Sequence, residues 1–186
     1  MLGIVIGVAA VITTVGIGQG ASAAIQTQIQ SLGTNLLIIV PGTQSRGGAH
    51  SGWGGASTLS ILDARAVERE VGDVRAVTYV RRGSTQVLYG NENWRTTVQA
   101  TTPSYLSVSD SEVTQGEFFD ERDMRTGTRV VVLGETIVNQ LFEAGEDPIG
   151  AVLRIKETSF RVIGVLESKG GSGFGSDRDD LLLMPF

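Results

Sequence analysis

The pattern of hydrophobic and polar positions divides the chain after about forty residues. Residues 1–17 (MLGIVIGVAAVITTVGI) form an almost continuous apolar run, and no Asp, Glu, Lys, Arg or His precedes Arg46. Such a run is at the lower limit of the ~17–25 residues that cross a bilayer as a helix. We therefore predict that residues 1–18 are the outer part of a transmembrane helix.

A narrower apolar stripe follows this run. Apolar residues recur there at helical spacing, namely Ala21, Ile25, Ile29 and Leu32. The positions between them are mostly polar but uncharged, and Gly33 is a typical stop signal near the end of a helix. This pattern predicts that residues 19–33 continue the helix out of the membrane and lean on a domain beyond it.

Two alternatives remain open for the same stretch. Gly16, Gly18 and Ala21 fit the G-x-G-x-x-A turn of a dinucleotide-binding fold, which would place a pyrophosphate at a helix N-terminus. Against this hypothesis, the strand before the turn would be unusually long. The strand after it, residues 36–40, also ends without the Asp or Glu that holds a ribose hydroxyl. The second alternative is a buried hydrophobic hairpin.

The next part of the chain has the pattern of a strand–helix–strand unit. Leu36–Val40 is predicted to be a buried strand, and residues 74–80 alternate as a strand that should pair with it in parallel. Between them, Ser60 is the expected N-cap of a helix, and Asp63 would complete a capping box. The buried stripe of this helix is predicted to contain Ile61, Ala64, Val67 and Val71.

The middle of the chain, residues 81–128, has the pattern of a β-rich insertion. A hairpin is predicted with its turn at Gly90–Asn93, and Asp120–Asp123 is predicted to be a charged loop. The remaining elements are a buried strand at 129–133, a helix at 136–142, and strands at 151–156, 159–166 and 181–184.

Composition restricts the classes of function. The chain contains no Cys, so neither disulfides nor cysteine-ligated metals are available. Its 15 basic and 20 acidic residues give a net charge of −5. A nucleic-acid-binding protein is expected to present a basic surface, so this charge argues against a nucleic-acid partner.

Candidate chemistry is sparse. The sequence has no G-x-x-x-x-G-K-[ST] phosphate loop and no G-x-S-x-G nucleophile motif. Its single histidine, His50, lies with Trp53 in a glycine- and serine-rich loop, where either side chain is a candidate for contact with a partner. Asp177, Asp179 and Asp180 have oxygens suited to a hard cation, but a solvated acidic turn is the favoured interpretation. We therefore predict no catalytic, cofactor or metal site.

Several segments in this order resemble the MacB-like permeases of ABC transporters, in the wider group that includes FtsX and LolC/LolE. The segments are GIVIGVAAVITTVGIGQGA, QIQSLGTNLL, TTPSYLSV, QGEFFDERD, RVVVLGETIVNQLF and DDLLLMPF. The resemblance implies an α+β extracytoplasmic domain that follows the end of the first transmembrane helix. It also implies a porter-like α/β subdomain, residues 34–80 and 129–186, with an inserted β-rich, sabre-like subdomain at residues 81–128.

The resemblance also implies a function. The chain would transmit ATP-driven motion across the bacterial inner membrane, with most of its residues on the periplasmic side, to export or extract a substrate. The implied partners are an ABC ATP-binding subunit or domain, a second permease copy in a homodimer or heterodimer, and a periplasmic adaptor protein. No enzymatic activity is expected in the chain itself. The alternatives are an FtsX-like regulator of an extracytoplasmic hydrolase and an NAD(P)-binding oxidoreductase.

Overall fold

The computed structural model describes residues 14–15, 36–41, 45–46, 49–50, 59–170 and 177–186. The chain divides into two compact units, Met1–Ile39 and Val40–Phe186. In the first unit, Thr14 and Val15 are helical. No helix formed by the described residues is long and apolar enough to cross a membrane. The predictions for residues 1–13 and 16–35, including Gly16, Gly18, Ala21, Ile25, Ile29 and Leu32, lie outside the described residues.

The described part of the second unit contains four helices and nine strands. The helices are α1 (Ile61–Glu70), α2 (Tyr105–Ser109), α3 (Glu121–Thr126) and α4 (Glu135–Leu141). The first strands are β1 (Ser45–Arg46), β2 (Ala49–His50), β3 (Arg81–Tyr89), β4 (Glu92–Thr101) and β5 (Val113–Gly116). The others are β6 (Val130–Leu133), β7 (Val152–Ile155), β8 (Thr158–Leu166) and β9 (Leu181–Pro185). This mixture of elements confirms the α+β class.

Six strands pair in a closed ring, in the order β8–β6–β9–β4–β3–β7 and back to β8. β9 pairs in parallel with β4 and antiparallel with β6, and β6 pairs in parallel with β8. The seventh strand, β5, pairs with the end of β8. Strands from residues 81–128 and from residues 129–186 therefore share one sheet, and the subdomain boundaries stay a prediction.

The core lies on both faces of β6 and β9. Val131, Leu133 and Leu182 pack on one face, together with Ile137 and Leu141 of α4. The opposite face is a second buried cluster, formed by Phe119, Val130, Val132, Leu166 and Leu183. Burying a Val or Leu side chain contributes about 1.5–3 kcal/mol, so these two short strands supply much of the apolar burial. The buried strand and the helix predicted for residues 129–142 are confirmed.

Two helices begin with capping boxes. In α1, the Ser60 N–H donates to Asp63 Oδ2 at 2.7 Å and the Asp63 N–H donates to Ser60 Oγ at 3.3 Å, as predicted. In α3, Asp120 caps the helix in the same way and Asp123 completes the box. The charged loop predicted for Asp120–Asp123 was therefore wrong. This helix is short and polar, so it lacks the apolar periodicity that indicates a helix.

The prediction of a strand–helix–strand unit was wrong for both strands and for the burial of the helix. Leu36–Val40 is not a strand, and its side chains are 44–82% exposed. Residues 74–80 also form no strand. In α1 no residue is buried, and Ile61 and Val71 of the predicted stripe are 38% and 45% exposed. An apolar run shows that burial would be favourable, but it does not supply the partner strand. The described parallel pairs are instead β4–β9 and β6–β8.

Candidate functional site

The two residues predicted to contact a partner are only partly placed by the structure. His50 ends β2, where its backbone pairs with Ser45. Its side chain and the whole of Trp53 lie outside the described residues. A partner contact at His50 and Trp53 therefore stays a prediction.

The acidic residues near the C-terminal end form the base of a loop. We call Ser168–Gly170 together with Asp177–Asp180 the loop anchor. Asp179 is buried, with 8% of its surface exposed. Its Oδ2 accepts from Ser168 Oγ at 2.6 Å and from the Gly170 N–H at 2.9 Å, and its Oδ1 accepts from the Lys169 N–H at 2.8 Å. One carboxylate thus joins residues 168–170 to residues 177–180.

Lys169 ties the loop anchor to α2. Its Nζ donates to the carbonyl oxygens of Ser109 and Asp110, each at 2.6 Å. These carbonyls lie at the C-terminal end of the helix, where a positive charge is favourable. Asp110 has a φ of 50° and ends the helix in the left-handed conformation, which Asp tolerates better than most residues. The ammonium group therefore holds the loop anchor against this helix end.

The other side of the loop anchor contacts α4 and β4. Thr136 Oγ1 donates to Asp177 Oδ2 at 2.6 Å, and Trp94 Nε1 donates to Asp180 Oδ1 at 2.9 Å. Two hydrogen bonds lower the pKa of the Asp177 carboxyl below its usual value. The bond from the Thr136 hydroxyl has the larger effect, and the bond from the Asp179 backbone N–H has the smaller one. The loop anchor thereby connects three elements that are far apart in the sequence.

A close backbone approach fixes the position of the loop anchor. A Cβ atom on Gly134, between β6 and α4, would lie 2.1 Å from the carbonyl oxygen of Asp179. Only glycine allows the chain to pass at this distance. The Gly134 N–H also donates to the carbonyl oxygen of Leu181 at 2.9 Å. This hydrogen bond and the close approach place the start of α4 directly beside the loop anchor.

The interpretation of Asp177, Asp179 and Asp180 as a solvated acidic turn is wrong for Asp179, whereas Asp177 is exposed as expected. Asp179 is buried, and N–H and O–H donors occupy both of its oxygens. Across the described part of the chain, no three His, Asp or Glu side chains are grouped so as to hold a metal ion. The arrangement joins residues 168–170 to residues 177–180. Sequence analysis missed Lys169 and Trp94 because their partners lie 60 and 86 positions away.

A shallow groove lies where β8 changes its partner from β7 to β5. Its volume is about 470 Å³. It is lined by Gly116, Glu117, Ile149, Gly150, Arg161, Val162 and Ile163. Glu117 and Arg161 give it one acidic and one basic group, with no nucleophilic side chain among the lining residues.

The whole chain matches a family model described as the MacB-like periplasmic core domain, over residues 1–186. It is 44% identical over 186 residues to the macrolide export ATP-binding/permease protein MacB of Syntrophobacter fumaroxidans. It is 38% identical to the protein of the same name from Rhodospirillum rubrum. In both cases all of the chain is aligned, but it spans only 26% and 28% of the relative.

Two solved structures share the fold. The periplasmic region of MacB from Actinobacillus actinomycetemcomitans is 27% identical, with a TM-score of 0.58 over 68% of this chain and 55% of that structure. The extracellular domain of the noncanonic ABC-type transporter YknZ from Gram-positive bacteria has a TM-score of 0.59 at 21% identity, over 69% of this chain and 63% of that domain. The resemblance predicted from the sequence motifs is confirmed. The chain belongs to the family of MacB-like periplasmic core domains of ABC transporters.

Proposed function

We propose that this chain is the part of an ABC transporter permease that carries ATP-driven motion to the outer side of the membrane, in order to export or extract a substrate. The observation that supports this proposal best is the match of all 186 residues to a family whose curated relatives are named ATP-binding/permease proteins. ATP hydrolysis would take place in a separate domain or subunit. The chain itself would have a mechanical role.

The fold is suited to a mechanical role. A domain that transmits displacement should move as a rigid body, because close-packed interiors resist deformation and pass strain on. Here the ring of six strands is closed by β9, and β6 and β9 carry apolar side chains on both faces. The loop anchor adds hydrogen bonds to α2, α4 and β4.

The proposed input to this domain is the predicted helix at residues 19–33. Its apolar stripe, Ala21, Ile25, Ile29 and Leu32, would lean on the domain and act as a lever. The proposed partners are an ATP-binding subunit or domain, a second permease copy and a periplasmic adaptor protein. The proposed location is the bacterial inner membrane, with most of the chain in the periplasm.

The lever is tested in the full-length protein, reconstituted in liposomes with its partners. Pro removes a backbone hydrogen bond and kinks a helix, so Ala24→Pro should abolish ATP-dependent export while ATP hydrolysis stays measurable. Ala24→Leu, which keeps helix propensity, is the matched control and should export normally. A macrolide is the first substrate to test, because the relatives are named for macrolide export. Unchanged export by Ala24→Pro would rule out the lever.

The same experiment separates the proposal from the FtsX-like alternative. A regulator of an external hydrolase would hydrolyse ATP and move no substrate, whichever residue occupies position 24. The NAD(P)-binding alternative has no remaining support, because the family match includes the segment that contains Gly16, Gly18 and Ala21.

A further inference from the structure

The first six residues of β3 form a free sheet edge. β3 pairs with β4 along its whole length, but on its other side it pairs with β7 only at Val87 and Leu88. Among the strands that the structure describes, none pairs with the outer edge of residues 81–86. Five of these six residues are exposed, and the sixth, Thr85, is partly buried. This edge is therefore open to solvent within the described chain.

The hairpin turn determines which peptide groups point outward. Gly90 and Asn91 form a two-residue loop, and Gly90 has a φ of 55°, as in a turn with Gly at its first central position. Such a loop makes Tyr89 and Glu92 a hydrogen-bonded pair, and hydrogen-bonded pairs then alternate along the strands. The odd-numbered residues of β3 therefore bond to β4. The even-numbered residues Arg82, Ser84 and Gln86 direct their N–H and C=O groups to the free edge.

The free edge is locally basic in an acidic chain. Residues 81–86 and their cross-strand partners, residues 95–100, contain three arginines and no Asp or Glu. The arginines are Arg81, Arg82 and Arg95. Arg95 Nε donates to Ser84 Oγ at 3.4 Å, which holds this guanidinium beside the edge. With a net charge of −5 for the whole chain, this positive region is a distinct feature that would attract acidic side chains.

We propose that the free edge of β3 binds an extended, acidic segment of a partner protein, which adds to the sheet as a further strand. The unpaired N–H and C=O groups of Arg82, Ser84 and Gln86 supply the main-chain hydrogen bonds, as in other cases of strand addition. The three arginines select acidic side chains on the added strand. The proposal concerns a surface of the domain and does not depend on the transport cycle.

The test uses the full-length protein in detergent micelles and, as the probe, a labelled eight-residue peptide of alternating Thr and Glu. Binding is followed by fluorescence anisotropy. Ser84→Pro removes one outward N–H, and Pro is tolerated on an edge strand. We expect this variant to bind the peptide about tenfold more weakly, the loss of roughly one hydrogen bond. Ser84→Ala keeps the N–H and is the matched control. Bound peptide should also slow hydrogen exchange of the Arg82, Ser84 and Gln86 amides.

Two further probes keep the proposal falsifiable if Ser84→Pro does not fold. The first is the same peptide methylated at every backbone nitrogen, which has no N–H left to donate on either edge of the strand and should not bind. The second is the Thr/Lys peptide, which should bind more weakly than the Thr/Glu peptide. Equal binding of either probe, or no binding of the Thr/Glu peptide, would overturn the proposal. Self-association of the chain through this edge would also overturn it, because the occupant would then be a second copy.

Discussion

At the scale of single residues, Asp179 carries the most structural information. Its carboxylate is buried and satisfies a hydroxyl and two backbone N–H groups. The sequence shows an acidic cluster, but it does not show which of Asp177, Asp179 and Asp180 is buried. That depends on contacts with Ser168 and Lys169, about ten positions earlier, which have no periodic signature in the sequence. The acidic cluster was thus predictable from the sequence, whereas the structural role of its buried member, Asp179, was not.

Replacing Asp179 with Ala should destabilise the fold. The change leaves three donors without their acceptor, and buried donors without partners cost about 1–3 kcal/mol each. Since water can enter the emptied site, we expect the free energy of unfolding to fall by about 3 kcal/mol in denaturant titrations. Asp177→Ala is the comparison variant: Asp177 is exposed, so water can replace its carboxylate as acceptor for Thr136 Oγ1 and the Asp179 N–H. Equal losses in the two variants would contradict the role of Asp179.

At the scale of elements, apolar strands and amphipathic helices were predictable, and short polar helices were not. β6 consists of four buried apolar residues, and α4 places Ile137 and Leu141 one turn apart on its buried face. Both follow directly from hydrophobic patterning. α3 contains only one apolar residue, Met124, and depends on its cap. The capping box of α3 was visible in the sequence as Asp120 followed by Asp123, three residues on.

The cap of α3 makes its stability dependent on pH. Asp120 Oδ1 accepts the Arg122 and Asp123 N–H groups at 2.7 and 3.0 Å. The bond from the Asp123 N–H has the largest effect and the bond from the Arg122 N–H the next largest. Both lower the pKa of Asp120 below the ordinary 3.8. The ionised cap therefore stabilises the folded state fully above pH 3.8. This contribution is lost as the pH falls from 3.8 through the lower pKa of the folded state.

The measurement compares the wild-type chain with Asp120→Ala over an acid titration, using the free energy of unfolding. The stability difference between them should be largest above pH 4 and should shrink below the ordinary pKa of 3.8. Asp120→Asn keeps an acceptor that does not titrate, so its difference from the Ala variant should not change with pH. A constant difference between wild type and Asp120→Ala would show that the ionised carboxylate is not the stabilising form.

At the scale of the whole molecule, the packing is uneven. Residues 59–80, which include α1, contain no buried residue, whereas β6 is buried throughout. Regions with few buried contacts open at lower free energy than the core. Native-state hydrogen exchange should therefore show the α1 amides exchanging much faster than those of β6 and β9. Protection of α1 equal to that of β6 would contradict this prediction.

The topology of the sheet was the least predictable property of the chain. Strand positions follow from local patterns, but the order of strands depends on which edges meet. The pattern predicted a parallel pair between residues 36–40 and 74–80, and the structure instead has parallel pairs between β4 and β9 and between β6 and β8. Each short buried strand has a sequence that suits several neighbours. The order of the strands in the sheet therefore depends on tertiary packing.

The place of β9 in the ring has a consequence for biosynthesis. Without β9, the other ring strands form an open arc that runs from β6 through β8, β7 and β3 to β4. Among the described strands, the two ends of this arc, β6 and β4, are joined only by residues 181–185. As the chain emerges residue by residue, both ends of the arc stay exposed until this late segment is made. A chaperone that shields unpaired strand edges in a nascent chain would therefore be needed longest at β6 and β4. It would be released only after β9 has been synthesised and has paired with them.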